Sequence, residues 1–164
     1  MPLVTLTDNQ MALAESVALN RTNTSLAGNF TDRFNKDMSI EWRQTIDRLG
    51  CISELAVSLY LGLEWSGANG IGTSDVSGFE VRSTQRKDGK DYWLYIRDND
   101  KDGIYLFCVV DGPNVVIAGW STAYQVRSTG TLLYKDTNCY GLARQHLYPM
   151  WQLQETVEFA GIKQ

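Results

Sequence analysis

Four side chains in the middle of this chain are of the types that handle a phosphodiester: Glu54, Asp75, Glu80 and Arg82. The segment Ser74-Asp-Val-Ser-Gly-Phe-Glu-Val-Arg-Ser-Thr84 sets one carboxylate before a glycine turn and a second inside an extended run. Alternate residues of a strand face opposite sides, so Glu80, Arg82 and Thr84 share one face while Phe79 and Val81 turn towards a core. Phosphodiester hydrolysis needs hard oxygen ligands for a divalent ion that polarises the phosphate and acidifies the attacking water, plus a cation near the developing charge. Asp75 and Glu80 are the ligand types and Arg82 the cation. Thr84 could touch the phosphate backbone.

Glu54 stands among Cys51, Leu55, Val57 and Leu61, where a carboxylate is hard to keep in water. Buried carboxylates are paired or metal-bound, so Glu54 is either a metal ligand or the partner of an arginine such as Arg43 or Arg48. Each of the others also has a plain structural reading. Asp75 suits a turn cap ahead of Ser77-Gly78, and Glu80 with Arg82 suits a solvent-facing pair on an exposed sheet.

The elements that must position these residues can be read from periodicity. Met11, Ala14, Val17 and Ala18 predict a helix within about Thr5–Leu26, with Asp8 as cap. Residues 20–39, rich in Asn, Thr, Asp and Gly, suit an irregular surface segment or short helical turns. Ser39 is placed to cap a further helix. The run Cys51–Gly62 is a helix apolar on most sides, ended by Gly62 and the Gly-rich stretch Ser66–Gly72. From Phe79 the pattern becomes extended: Phe79–Ser83, Tyr92–Arg97, Ile104–Asp111 and Val115–Trp120 predict a strand meander separated by Gly, Asn, Asp and Pro turns. A loop, then a short strand or helix near Tyr140–Leu147 and a tail from Glu155, complete the expectation.

The 164 residues, 43% hydrophobic and 21% charged, suit one globular domain, 1–164, with its core at about 40–125. Neither a signal peptide nor a membrane span is visible, which predicts a cytoplasmic protein. Cys51, Cys108 and Cys139 lack zinc or disulfide spacing and read as buried thiols. His146 is the only histidine, which leaves no site needing two imidazoles. A net charge of −4 argues against coating nucleic acid by charge alone, although a divalent ion would offset clustered carboxylates. Asp98-Asn-Asp-Lys-Asp-Gly103 imitates the start of an EF-hand loop, but Val109 stands where the last ligand belongs, so a hairpin turn is expected. Trp93, Tyr95 and Tyr105 could stack on bases; at strand spacing they read as packing.

The order helix glutamate, Gly-rich loop, acid, strand acid, then cation two residues on resembles the PD-(D/E)XK, or restriction-endonuclease-like, nuclease superfamily, and within it small phage-encoded proteins with a similar helix and turn. The likeness covers about Leu49 to Trp120. It implies an α/β (α+β) fold with a mixed sheet flanked by helices, and a Mg²⁺- or Mn²⁺-dependent DNA nuclease in the host cytoplasm. Glu54, Asp75 and Glu80 would then bind the metal and Arg82 would clamp phosphate, with DNA as partner and room for a homodimer. Two departures stand out. Ser74 replaces the signature proline, and Arg82 replaces the signature lysine, giving a group that stabilises charge but cannot act as a base. The second departure opens an alternative: a catalytically inactive protein of this fold that binds nucleic acid or serves as a virion-associated interaction module.

Overall fold

A computed structural model describes residues 1–27, 39–67, 74–135 and 138–153. The chain begins with a short strand, β1 (Leu3–Thr5), and enters helix α1 (Asp8–Ala27). The cap is Thr7 rather than Asp8. Thr7 Oγ1 accepts from the Gln10 amide at 3.3 Å while Gln10 Oε1 accepts from the Thr7 amide at 2.8 Å, a reciprocal capping box. Helix α1 runs to Ala27, close to the expected end at Leu26; its last turns fall where the expected irregular segment overlapped it, because Asn and Thr are weak helix formers that tertiary packing overrides.

Ser39 caps the next helix by accepting the Trp42 amide at 3.2 Å. From there one helix, α2 (Ile40–Leu61), carries both helical signals of the sequence without a break at Gly50. It ends on Gly62, whose left-handed φ of 68° lets its amide reach back to the Ser58 carbonyl. The Gly-rich stretch predicted to follow lies largely outside the described residues, as does the predicted tail.

The four predicted strands all form: β2 (Phe79–Gln85), β3 (Trp93–Arg97), β4 (Ile104–Asp111) and β5 (Asn114–Thr122). They do not form a meander. The first sheet is ordered β1-β5-β4-β2, with β2 parallel to β4 and the other pairs antiparallel. Strand β3 leaves it to join β7 (Cys139–Ala143) and β6 (Thr131–Tyr134) in a second, antiparallel sheet ordered β3-β7-β6. Residues 98–103, expected as a hairpin turn, are therefore a corner between sheets. Helix α3 (Ala123–Thr129) follows β5 directly, and the 140–147 region supplies β7 and a short 3₁₀ turn.

The result is an α+β fold with a mixed sheet flanked by helices. Strand β4 is apolar on both faces because both are covered. Leu106, Cys108 and Val110 point with Phe79, Val81, Val115 and Ile117 into a core against α1 and α2. Tyr105, Phe107 and Val109 point the other way, towards Leu94, Ile96, Ala123 and Val126 of the second sheet and α3. The three cysteines are buried, and burial pushes the Cys51 and Cys108 thiols up to about 12. No described helix is long and apolar enough to cross a membrane.

One glycine is required by this packing. Gly119 sits at φ 149° beside the β4–β5 irregularity, and a Cβ there would lie 2.6 Å from the Tyr148 carbonyl oxygen. That close approach lets Trp120 and Tyr148 exchange backbone hydrogen bonds of 3.0 and 2.9 Å, tying the C-terminal segment to β5.

Candidate functional site

Strand β2 is the edge of its sheet, and the four candidate residues divide across it. Phe79 and Val81 belong to the helix-side core, so Glu80 and Arg82 project to the opposite face, in register with Tyr105 and Phe107 of β4. Glu54 projects from α2, on the helix side. The structure puts Asp75 within electrostatic reach of Glu54, but it sets Glu80 and Arg82 on the face of the sheet opposite Glu54.

Glu54 is 4% exposed, and its partner is neither Arg43 nor Arg48. Arg21 of α1 grips it with both prongs, Nη1 to Oε1 at 2.7 Å and Nη2 to Oε2 at 2.6 Å, and Trp65 Nε1 donates to Oε2 at 2.9 Å. Such a fork-to-fork contact is the strongest geometry open to this pair. Burial pushes the Glu54 carboxyl up, against the pull of Arg21 and Trp65. Burial works against the charge on Arg21 too, yet Glu54 overcomes it and holds the guanidinium protonated. Sequence spacing gave no signal for Arg21, which lies 33 residues from Glu54 on a helix whose polar residues look like surface ones.

Asp75 precedes the turn at Ser77 and Gly78, both in positive φ. In the parallel β2–β4 ladder, the Arg86 amide bonds to Val110, so amides at 80, 82 and 84 turn inward and those at 79, 81 and 83 turn to the open edge. Asp75 Oδ2 accepts the Val81 amide at 2.8 Å, and Phe79 exchanges backbone bonds with Val76 at 2.8 and 3.1 Å. The carboxylate thus seals a sheet edge that would otherwise template pairing with another chain. We expect Asp75→Ala to cost about 1–2 kcal/mol, the scale of a lost hydrogen bond with an amide left without its acceptor. Asp75→Asn keeps an acceptor oxygen and should melt close to the parent. Equal melting temperatures for the parent and Asp75→Ala would refute this role.

On the far face Glu80 is 7% exposed. Lys101 Nζ lies 2.6 Å from its Oε1, a close charge contact. Arg82 Nη2 reaches Asp100 Oδ1 at 3.3 Å, and its guanidinium lies 4.9 Å from the Tyr105 ring centroid. The partners Asp100 and Lys101 come from the inter-sheet corner, the segment that imitates a calcium loop. It supplies one acid and one base to β2.

Beside Arg82 is a cleft of about 160 Å³ between the edges of the two sheets, lined by Ser83, Thr84, Tyr92, Trp93 and Tyr95 among others. Tyr95 is 44% exposed. Trp93 is held down because Gly141 of β7 has no side chain: a Cβ there would meet the Trp93 ring at 3.2 Å and collide with Leu133. The sequence reading assigned Trp93 and Tyr95 to packing. Only Tyr105 of the three aromatics is fully buried.

The residues present do not fit one divalent-ion centre. Glu54 has both oxygens engaged by Arg21 and Trp65, Asp75 holds a strand amide, and Glu80 lies across the sheet against Lys101. Among the described residues no three His, Cys, Asp or Glu side chains are gathered as metal ligands. Comparison of the chain with protein-family models, curated proteins and solved structures finds no match.

Proposed function

We propose that this protein is a binding module for single-stranded nucleic acid, working without cleavage through the cleft beside β2. The observation that supports it is the grouping of Arg82 with Tyr92, Trp93 and Tyr95 at a groove between two sheet edges. Aromatic faces stack on bases of any sequence, and a planar guanidinium pairs with phosphate oxygens. Arg144, 5.8 Å over the Tyr92 ring, adds positive charge near the groove, against one acid, Asp91, in its lining. The net charge of −4 confines binding to this local patch.

The test is titration of the protein with a short oligothymidylate, read by tryptophan fluorescence. The parent should bind, more weakly as salt rises. Trp93→Ala should weaken binding about tenfold, within the ~1–3 kcal/mol that a stacked base contributes. Arg82→Ala should weaken it and flatten the salt dependence. A parent that binds no oligonucleotide at low salt, or a Trp93→Ala variant that binds as well as the parent, would overturn the reading.

Metal-dependent DNA cleavage is the second reading, favoured by one observation: Asp75 lies within electrostatic reach of the buried Glu54 carboxylate and helps to push it up. It predicts nicking of plasmid DNA in Mg²⁺ or Mn²⁺ that disappears in Asp75→Asn, a variant expected to stay folded. That result would replace the non-catalytic reading.

A further inference from the structure

We propose that Arg21 is the resident cation of a buried carboxylate site formed by Glu54 and Asp75, and that helix α1 thereby closes this site to divalent metal ions. The inference stands apart from the nucleic-acid reading, since it concerns the opposite face of the sheet.

The geometry that makes Glu54 a poor metal ligand in the parent is the same geometry that identifies what fills the place. A carboxylate 4% exposed requires a counter-charge. Arg21 supplies it from a neighbouring helix, with contacts of 2.6 and 2.7 Å to the two oxygens. The guanidinium is also tied to the segment after α2, its Nε donating to the Gly67 carbonyl at 3.4 Å. Asp75 lies within electrostatic reach of both Arg21 and Glu54. A cavity of about 430 Å³ lined by Glu64, Trp65, Ser66, Ser74, Asp75 and Ser77 adjoins the site through Trp65, whose Nε1 donates to Glu54 Oε2 at 2.9 Å. Removal of the guanidinium therefore leaves the buried Glu54 carboxylate without its counter-charge, with Asp75, whose Oδ2 accepts the Val81 amide, as a further carboxylate on the adjoining cavity. Hard oxygen donors of this kind are what Ca²⁺, Mn²⁺ and lanthanide ions take.

The experiment compares the full chain with Arg21→Met, which retains the apolar stem of the side chain. In the parent, Mn²⁺ should leave the melting temperature unchanged. In Arg21→Met it should raise it saturably, by about 3–6 °C at ten times the dissociation constant. Terbium gives a second readout, because Trp65 sits against Glu54 and can sensitise its emission. The Asp98–Gly103 corner also offers carboxylates, so the diagnostic signal is the part present in Arg21→Met and lost in Arg21→Met/Glu54→Gln. If Arg21→Met does not fold alone, millimolar Mn²⁺ should restore its far-UV signal. The proposal is overturned if Mn²⁺ stabilises the parent through Glu54, which would mean that the ion displaces Arg21. It is equally overturned if Arg21→Met shows no Glu54-dependent response to either ion, folded or refolding.

Discussion

Arg21→Ala is expected to cost about 3–5 kcal/mol of stability at neutral pH, because it leaves the buried Glu54 charge without its partner. Most of this cost should be pH-dependent. Burial already holds the Glu54 carboxyl above its ordinary range, with Arg21 pulling it down. Without the guanidinium the folded protein binds that proton still more tightly than the unfolded chain does. Where the folded state holds the extra proton, stability increases as pH falls. The variant should thus be weakest above the raised folded value and recover as pH drops towards the ordinary glutamate range of about 4.3. Melting temperatures at mildly acidic and mildly alkaline pH measure this directly. A loss of the same size at both would mean that lost packing of the arginine stem dominates, and not the orphaned charge. The paired change Arg21→Met/Glu54→Leu adds a second check. Replacing a buried ion pair with apolar groups of similar volume is often neutral or better, so the double variant should melt well above Arg21→Ala. Additive losses would show that the two side chains do not form one unit.

The same pair shows how far the sequence could be read. An apolar run, Cys51–Gly62, carrying a single glutamate signals a buried charge that must be satisfied, and that inference holds. The identity of the partner depends on how α1 crosses α2, which is tertiary geometry with no local signature. Strand positions from Phe79 to Trp120 were legible because β-branched and aromatic runs broken by Gly, Asn and Asp fix extended segments locally. Their pairing was not, since β3 departs to a second sheet and β2 meets β4 in parallel. Alternation sent Phe79 and Val81 to the core, as expected from period two. The same alternation carried Glu80 away from Glu54, a consequence that appears only once the helix side of the sheet is known. Asp75 as a turn-associated acceptor was available from the Ser-Gly turn that follows it, whereas its target, the outward amide of Val81, depended on β2 lying at an edge.

Arg127→Ala should be the second most damaging change, at about 2–4 kcal/mol, although the residue is far from any candidate site by sequence. Its guanidinium leaves α3 and holds the inter-sheet corner at three points. Nε donates to the Arg97 carbonyl at 3.0 Å, Nη1 donates to Asp102 Oδ1 at 2.7 Å, and Nη2 donates to the Asp100 carbonyl. Truncation leaves two partly buried carbonyls without this donor, each carrying the penalty of a lost charge-assisted bond. Arg127→Lys should restore only part of the loss, because a point charge cannot serve three acceptors spread around a planar fork. The consequence should travel to the cleft. Asp100 is fixed by accepting the Arg97 amide at 3.0 Å and in turn holds Arg82 at 3.3 Å. The neighbouring Lys101 lends its carbonyl to the Tyr105 hydroxyl at 2.8 Å and its charge to Glu80. Loosening the corner frees Arg82 from its place over the Tyr105 ring, so Arg127→Ala should weaken oligonucleotide binding without touching the ligand. Thermal melting and the fluorescence titration read the two effects separately. A variant that melts within a degree or so of the parent would show that the corner is held by its own turn, and a destabilised variant with undiminished binding would show that Arg82 is positioned without Asp100.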